Sequence, residues 1–442
     1  MYRKASLVFA GAILGAVGTI GASQVLKAPQ ANAAGSETYR QLAIFGDIFE
    51  RVRASYVEQP DDRDLVKSAI GGMLSSLDPH SAYLDPDDAQ EMQTQTRGEF
   101  GGLGIEVTME NELVKVVAPM FGTPAEDAGV LAGDFISKID GDEVRGLSLQ
   151  QAVEKMRGPV KTPIVLEIIR EGRTEPLEVT IIRDIIKVQA VKWRTEGDVG
   201  YMRVTTFSQQ TYDDLRAAIE ELETESNGEL TGYVLDLRLN PGGLLDQAIN
   251  VSDAFLEEGL IVSTRGRDDG DSRRFSARDG DLVEGKPMVV LINGGSASAS
   301  EIVAGALQDH RRATVIGTQS FGKGSVQTII NLGDAGALRL TTALYYTPAG
   351  VSIQGKGITP DITVEQTLPE ELQDRRDDLE RGESDLRGHI EGEEEDETGS
   401  GSIAFVPREA EDDDQLQYAL SLIRGEETHE AFPPDPATAL PN

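Results

Sequence analysis

The sequence predicts a multi-domain α/β protein: a strand–helix core that carries a small β-rich insert and follows a helical N-terminal layer. Two observations predict it. Between about residues 185 and 365, apolar strands lead into helical patterns, "GYVLDLRL" into "LLDQAINVSDAFLEE" and "PMVVLIN" into "SEIVAGALQD". That spacing belongs to β-α-β crossovers and a partly parallel sheet. Between residues 97 and 184 the texture changes to short β-rich runs separated by Gly and Pro turns, with one short helix, "LQQAVEKMRG". Such a make-up describes a small independent domain.

From the N-terminus, Arg3 and Lys4 precede an apolar run, and "ANAAG" offers a cleavage site ending at Ala33. Residues 1–33 therefore read as a secretory signal peptide. Left uncleaved, the apolar stretch from Ala5 to Leu26 would tether the chain to a membrane. Either way the rest is exported, to the periplasm or the outer face of the inner membrane. Residues 37–96 form the helical region: Leu42, Phe45, Phe49, Val52 and Tyr56 recur three and four apart, as do Leu65, Ala69, Met73 and Leu77. These apolar residues are expected to pack into a core, and Asp78-Pro79 stops the second helix.

Bulk composition narrows the function. The chain has 442 residues, 39% of them hydrophobic and 26% charged, with a net charge of −35. That charge argues against nucleic acid as a partner. Residues 366–442 hold 23 acidic and 6 basic residues, so −17 of the total lies in this tail. It is expected to be largely disordered, although Leu416, Ala419, Leu420 and Ile423 share one helical face and could dock on the core or on a second subunit. Cysteine is absent, which removes disulfides and Cys-based metal sites.

In the insert, "FGGLGIEV" places Gly102, Leu103, Gly104 and Ile105 in a turn that can expose backbone amides beside an edge strand. An edge strand of that kind can accept a peptide and its terminal carboxylate; a plain hairpin turn fits equally well. "GTPAEDAGVLAGDFISKIDGDEV" resembles the middle of a bacterial PDZ domain. The resemblance implies a C-terminal peptide site at Gly102–Ile105.

In the core, "NPGG" and "NGGSAS" both lie where strands feed into helices, the position of ligand sites in such sheets. Ser298 opens a helix, and Ser298-Ala-Ser-Glu301 matches a capping box that by itself needs no chemistry. A serine there also has free amides and a positive helix end beside it. It lacks a histidine: His310 ends the same helix, roughly 18 Å away at 1.5 Å per residue. Lysine can serve as base if it is neutral, and Lys323 lies between two glycines in "FGKGSVQ". Gln327, four residues on, returns to the same side and can hydrogen-bond the amine.

Together "GSASASEI", "FGKGSVQ", "DLRLNPGG" and "GKGITPDI" resemble the carboxyl-terminal processing peptidases, the S41 tail-specific proteases. The resemblance implies a crotonase/Clp-like fold and a serine endopeptidase without metal or organic cofactor. Ser298 would be nucleophile, Lys323 base and Gln327 orienting amide, and the N–H groups of Gly243 and Ala299 the oxyanion donors. Protein C-terminal tails would be the ligands, and an adaptor protein and a homo-oligomer stay open as partners. The alternative is a PDZ peptide-binding scaffold with an inactive core.

Overall fold

A computed structural model describes residues 30–374, 376–392, 399–435 and 439. The signal segment through residue 29 and the acidic run 393–398 lie outside the described residues. Among those described, no helix is long and apolar enough to cross a membrane. The chain divides into two units, one ending at Met73 and one beginning at Leu74.

The first unit consists of the helix Gln30–Ser55 and most of the helix Asp62–Ser75. Arg53 approaches Asp62 at 3.5 Å. The apolar faces expected to form a core are instead open: Leu42 is 59% exposed, Tyr56 63% and Met73 60%. A pair of helices has too little opposing surface to bury both of its stripes.

The second unit is organised by a six-stranded sheet. Its strands run in the order Val191–Glu196, Val199–Val204, Gly232–Asp236, Met288–Ile292, Thr314–Gly317 and Ile362–Thr363. The first pair is antiparallel and the rest are parallel. Because side chains alternate along a strand, each strand feeds two cores. Leu235, Val290 and Val315 face the helices Thr211–Glu225, Leu245–Asp253 and Ala299–Asp309, meeting Leu215, Val251, Ile302 and Val303. Val234, Val289, Leu291 and Ile316 point to the opposite face.

That opposite face corrects the reading of the tail. The helix Asp414–Ile423 covers it with Leu416, Ala419, Leu420, Leu422 and Ile423, all buried. A buried ion pair fastens it: Arg238 reaches Asp413 at 2.7 Å and Asp236 at 2.7 Å. The expectation of a largely disordered tail fails here because its few apolar residues are concentrated on one helical face, whereas much of its charge lies in separate acidic runs. A full sheet face needs a cover, and this helix supplies it.

A second, antiparallel sheet joins Ala82–Leu84, Ala337–Tyr346, Leu260–Gly266 and Arg273–Ser276, with Ser325–Asn331 also paired to Ala337–Tyr346. The insert has its own core, built on Val114, Ile136, Ile164, Leu166 and Ile168. Its sheet runs Ile105–Glu110, Leu113–Pro119, Phe135–Ile139, Pro163–Ile169 and Leu177–Ile182, so Ile105–Glu110 is an edge strand. The insert enters through Glu99–Gly102 and leaves through Asp184–Lys187, and these two segments pair with each other.

Candidate active site

The buried strand Met288–Ile292 ends in the turn Asn293–Ala297 and then in the helix Ala299–Asp309. Ser298 sits at that helix's start, 8% exposed, with φ 56° and ψ −111°. A non-glycine residue at positive φ is held there by its surroundings, and such strain collects at functional sites. Asn240 is one of the holding groups. Its carbonyl accepts from Ala297 N–H at 3.0 Å and Ser300 Oγ at 2.9 Å. Its side chain ties Gly242 N–H at 2.9 Å and Val204 C=O at 2.8 Å.

The "NPGG" turn therefore lies against the serine. A Cβ on Gly242 would stand 2.7 Å from Ala297 C=O, 2.9 Å from Ser298 Cβ and 3.0 Å from Ala299 N. Gly242 also has φ 101°, so only glycine fits this approach without strain. Gly243 (φ 146°) follows, its neighbours bridged to Phe207. Among the described residues, neither Gly243 N–H nor Ala299 N–H donates to another backbone carbonyl. Two free amides beside a serine at a positive helix end can hold a developing oxyanion.

Glu301 does more than cap. It is fully buried, and its two carboxylate oxygens take four donors. Oε2 accepts from Ser298 N–H at 2.7 Å and Lys323 N–H at 2.9 Å. Oε1 accepts from Ser320 Oγ at 2.6 Å and Gly322 N–H at 2.6 Å. One oxygen atom thus joins the backbone of Ser298 to that of Lys323, 25 positions later. Burial pushes the Glu301 carboxyl up to about 7, against the pull of those hydrogen bonds.

Lys323 lies in the loop between the strands Thr314–Gly317 and Ser325–Asn331. Burial lowers the proton affinity of its amine, which is the direction a base requires. The charges around it divide: Glu383, Glu301 and Asp78 favour the ammonium, and Arg339 opposes it. Gln327 is turned elsewhere, its amide donating to Ser325 Oγ at 3.0 Å and Thr341 Oγ1 at 3.4 Å. A register shift between Val326 and Gln327 sets Gln327 opposite Thr341.

Residues that no local pattern marked complete the surroundings. Asp78 Oδ1 accepts from Thr341 Oγ1 at 3.0 Å and His80 N–H at 2.8 Å, and Asp78 Oδ2 accepts from Ser81 Oγ at 2.6 Å. The sequence offers "DPHS" only as a helix stop, yet it packs beside the strand facing Gln327. Gln354 and Glu383 adjoin the Lys323 loop as well.

In the insert, Gly104 has φ 78°, and a Cβ there would lie 2.3 Å from Thr123 Cβ. The carbonyls of Leu103 and Gly104 accept from Ala125 N–H at 2.9 Å and Met120 N–H at 2.8 Å. These bonds fix the turn while leaving the edge strand that starts at Ile105 open along one side. Arg157, at the end of the helix Leu149–Met156, stacks on Phe100 with 4.5 Å to the ring centre.

Three family models match the chain: peptidase family S41 over residues 198–364, a PDZ domain over 101–181, and the activating protease CtpB N-terminal domain over 6–88. A carboxy-terminal-processing protease of Bartonella bacilliformis is 62% identical over 437 residues, covering 99% of each chain. A carboxyl-terminal-processing protease of Synechocystis is 40% identical over 326 residues, covering 72% of this chain and 75% of its own. Among solved structures, a photosystem II D1 C-terminal processing protease is 31% identical with a TM-score of 0.43, covering 71% of this chain and 85% of its own.

Proposed function

Since the chain belongs to peptidase family S41, as a carboxyl-terminal processing serine protease with a PDZ domain, we propose that Ser298, Lys323 and Gln327 carry its chemistry. Ser298 Oγ attacks the scissile carbonyl while the neutral Lys323 amine takes its proton. Gly243 N–H and Ala299 N–H receive the oxyanion. The tetrahedral intermediate collapses, the C–N bond breaks, and Lys323 returns the proton to the leaving amine. Water then attacks the acyl-enzyme carbonyl as the same lysine takes its proton; the C–Oγ bond breaks and Lys323 passes that proton to Ser298 Oγ, restoring both groups. Gln327, on the strand that follows the Lys323 loop, is the orienting amide in this reading, and its Nε2 donates to Ser325 Oγ and Thr341 Oγ1.

The observation that supports this reading is the Glu301 carboxylate oxygen shared by the backbones of Ser298 and Lys323. It ties the backbone of a strained serine to that of a buried lysine, beside two amides that donate to no backbone carbonyl. The PDZ domain, with its turn at Gly102, Leu103, Gly104 and Ile105 and its free edge, captures a protein's C-terminal segment by strand addition. The proposal extends to substrates in the cell envelope and to an exported enzyme, on the strength of the N-terminal Arg3–Ala33 pattern.

The test compares the purified enzyme with its Ser298→Ala and Lys323→Ala forms on an unfolded protein carrying a free C-terminus. Both variants are expected to lose cleavage by at least about a thousandfold. Equal cleavage by all three refutes the site, and no cleavage by any of them favours a binding scaffold.

A further inference from the structure

Glu383 belongs to the C-terminal tail, beyond the segment matched by the peptidase family, yet it is fully buried. Its N–H donates to Phe321 C=O at 2.8 Å, two residues before Lys323. Its carboxylate meets His80 Nε2 at 2.8 and 2.9 Å and accepts from Gln354 Nε2 at 3.1 Å. Gln354 Oε1 in turn accepts from Gly324 N–H at 3.0 Å, one residue after Lys323. The backbone on both sides of the lysine therefore ends on one tail residue, directly or through one amide.

The tail is seated closely enough to hold that residue still. Glu380–Arg381 pairs antiparallel with Ser402–Ile403. Gly401 N–H donates to Ser320 C=O at 2.9 Å, and a Cβ on Gly322 would lie 2.6 Å from Ser400 Cβ. Gly294, in the turn before Ser298, also meets this pair of strands: a Cβ there would lie 1.8 Å from Ser402 C=O. The segment Ser400–Ser402 thus lies on both glycine turns of the site at once, with no room for a side chain between.

We propose that Glu383 is a positioning residue for Lys323, fixing the loop on both sides of the amine and placing a negative charge beside it, so that the tail is part of the active site. This rests on the reading of Lys323 as the base. The charges acting on the amine are those of Glu383, Glu301 and Asp78, which favour the ammonium, and of Arg339, which opposes it. His80 is the titratable group on the far side of Glu383. A carboxylate at that place favours the ammonium, so it acts as a restraint on the base: the loop is well ordered, but the amine is harder to deprotonate.

The test is the pH profile of kcat/KM for the full-length enzyme and its Glu383→Gln variant, with thermal unfolding to establish that the variant is folded. Removing the charge makes the amine easier to deprotonate, so the acid limb is expected to move toward acid by on the order of one pH unit. One unit below the wild-type limb, the variant is then about fivefold faster. A folded variant with an unmoved limb overturns the proposal. Lys323→Ala in parallel separates the two readings: if it keeps activity, the base assignment fails whatever Glu383 does. Should Glu383→Gln not fold, Gln354→Met cuts the link to Gly324 and leaves the carboxylate in place. Its kcat is expected to fall with KM and the limb unchanged, and an unchanged kcat overturns the positioning.

Discussion

Replacing Glu301 by Gln keeps the side chain's shape and turns one acceptor oxygen into a donor NH2. Each native oxygen faces two donors, so no orientation of the amide suits all four. The least costly one points the NH2 at Ser320 and Gly322, because the Ser320 hydroxyl can rotate and accept. Gly322 N–H is then left buried without a partner, which costs about 1–3 kcal/mol. The opposite orientation orphans both Ser298 N–H and Lys323 N–H and is disfavoured. Stability should therefore drop by about 1–3 kcal/mol in urea unfolding. The loop carrying Lys323 loosens at Gly322, and misplacement on the scale of 1 Å can lower the rate about a hundredfold. The assay is kcat and KM on a peptide with a free C-terminus: kcat should fall 10- to 100-fold, an order-of-magnitude range, with KM nearly unchanged. A variant within about 0.5 kcal/mol and twofold of wild type would refute the idea that Glu301 joins the two halves of the site.

Gly242→Ala should leave the fold intact and lower kcat, since its Cβ would press on Ala297 C=O, Ser298 Cβ and Ala299 N; circular dichroism with steady-state kinetics checks both halves. Gly104→Val should abolish binding of a C-terminal peptide, measured by fluorescence anisotropy, because the position has φ 78° and Thr123 occupies the space. Asp413→Ala removes two charge-assisted hydrogen bonds from Arg238, which keeps Asp236 and Gln415, and a lost bond to a charged group costs about 1.5–3 kcal/mol. Limited proteolysis should then release the tail helix before the peptidase core is cut, and a tail as resistant as wild type would count against this.

What was legible in the sequence follows the reach of each interaction. Alternating strands and helices, the glycine turns and the amphipathic face of Leu416, Ala419, Leu420 and Ile423 are local patterns, and each marks an element that is present. Glu301 is readable as a capping residue because the cap spans three residues; its bonds to Ser320, Gly322 and Lys323 are tertiary and leave no spacing to read. His80 and Glu383 lie 303 positions apart, one in a helix stop and one in an acid-rich stretch. Composition also hid the tail's order, since net charge averages over residues whereas burial depends on where the few apolar ones fall. The exposed stripe of Leu42, Phe45 and Tyr56 shows the converse limit: periodicity reports a face, not what covers it.

The insert is strung on a double stem. Glu99–Gly102 and Asp184–Lys187 run antiparallel, with Val188 N–H donating to Gly98 C=O at 2.8 Å where the stem meets the core. The two ends of an 80-odd-residue excursion therefore arrive side by side, as the ends of a detachable cassette would. Lineages can swap, lengthen or lose such a cassette by recombination without re-threading the chain beneath it, and an engineer can exchange recognition modules at the same pair of cuts.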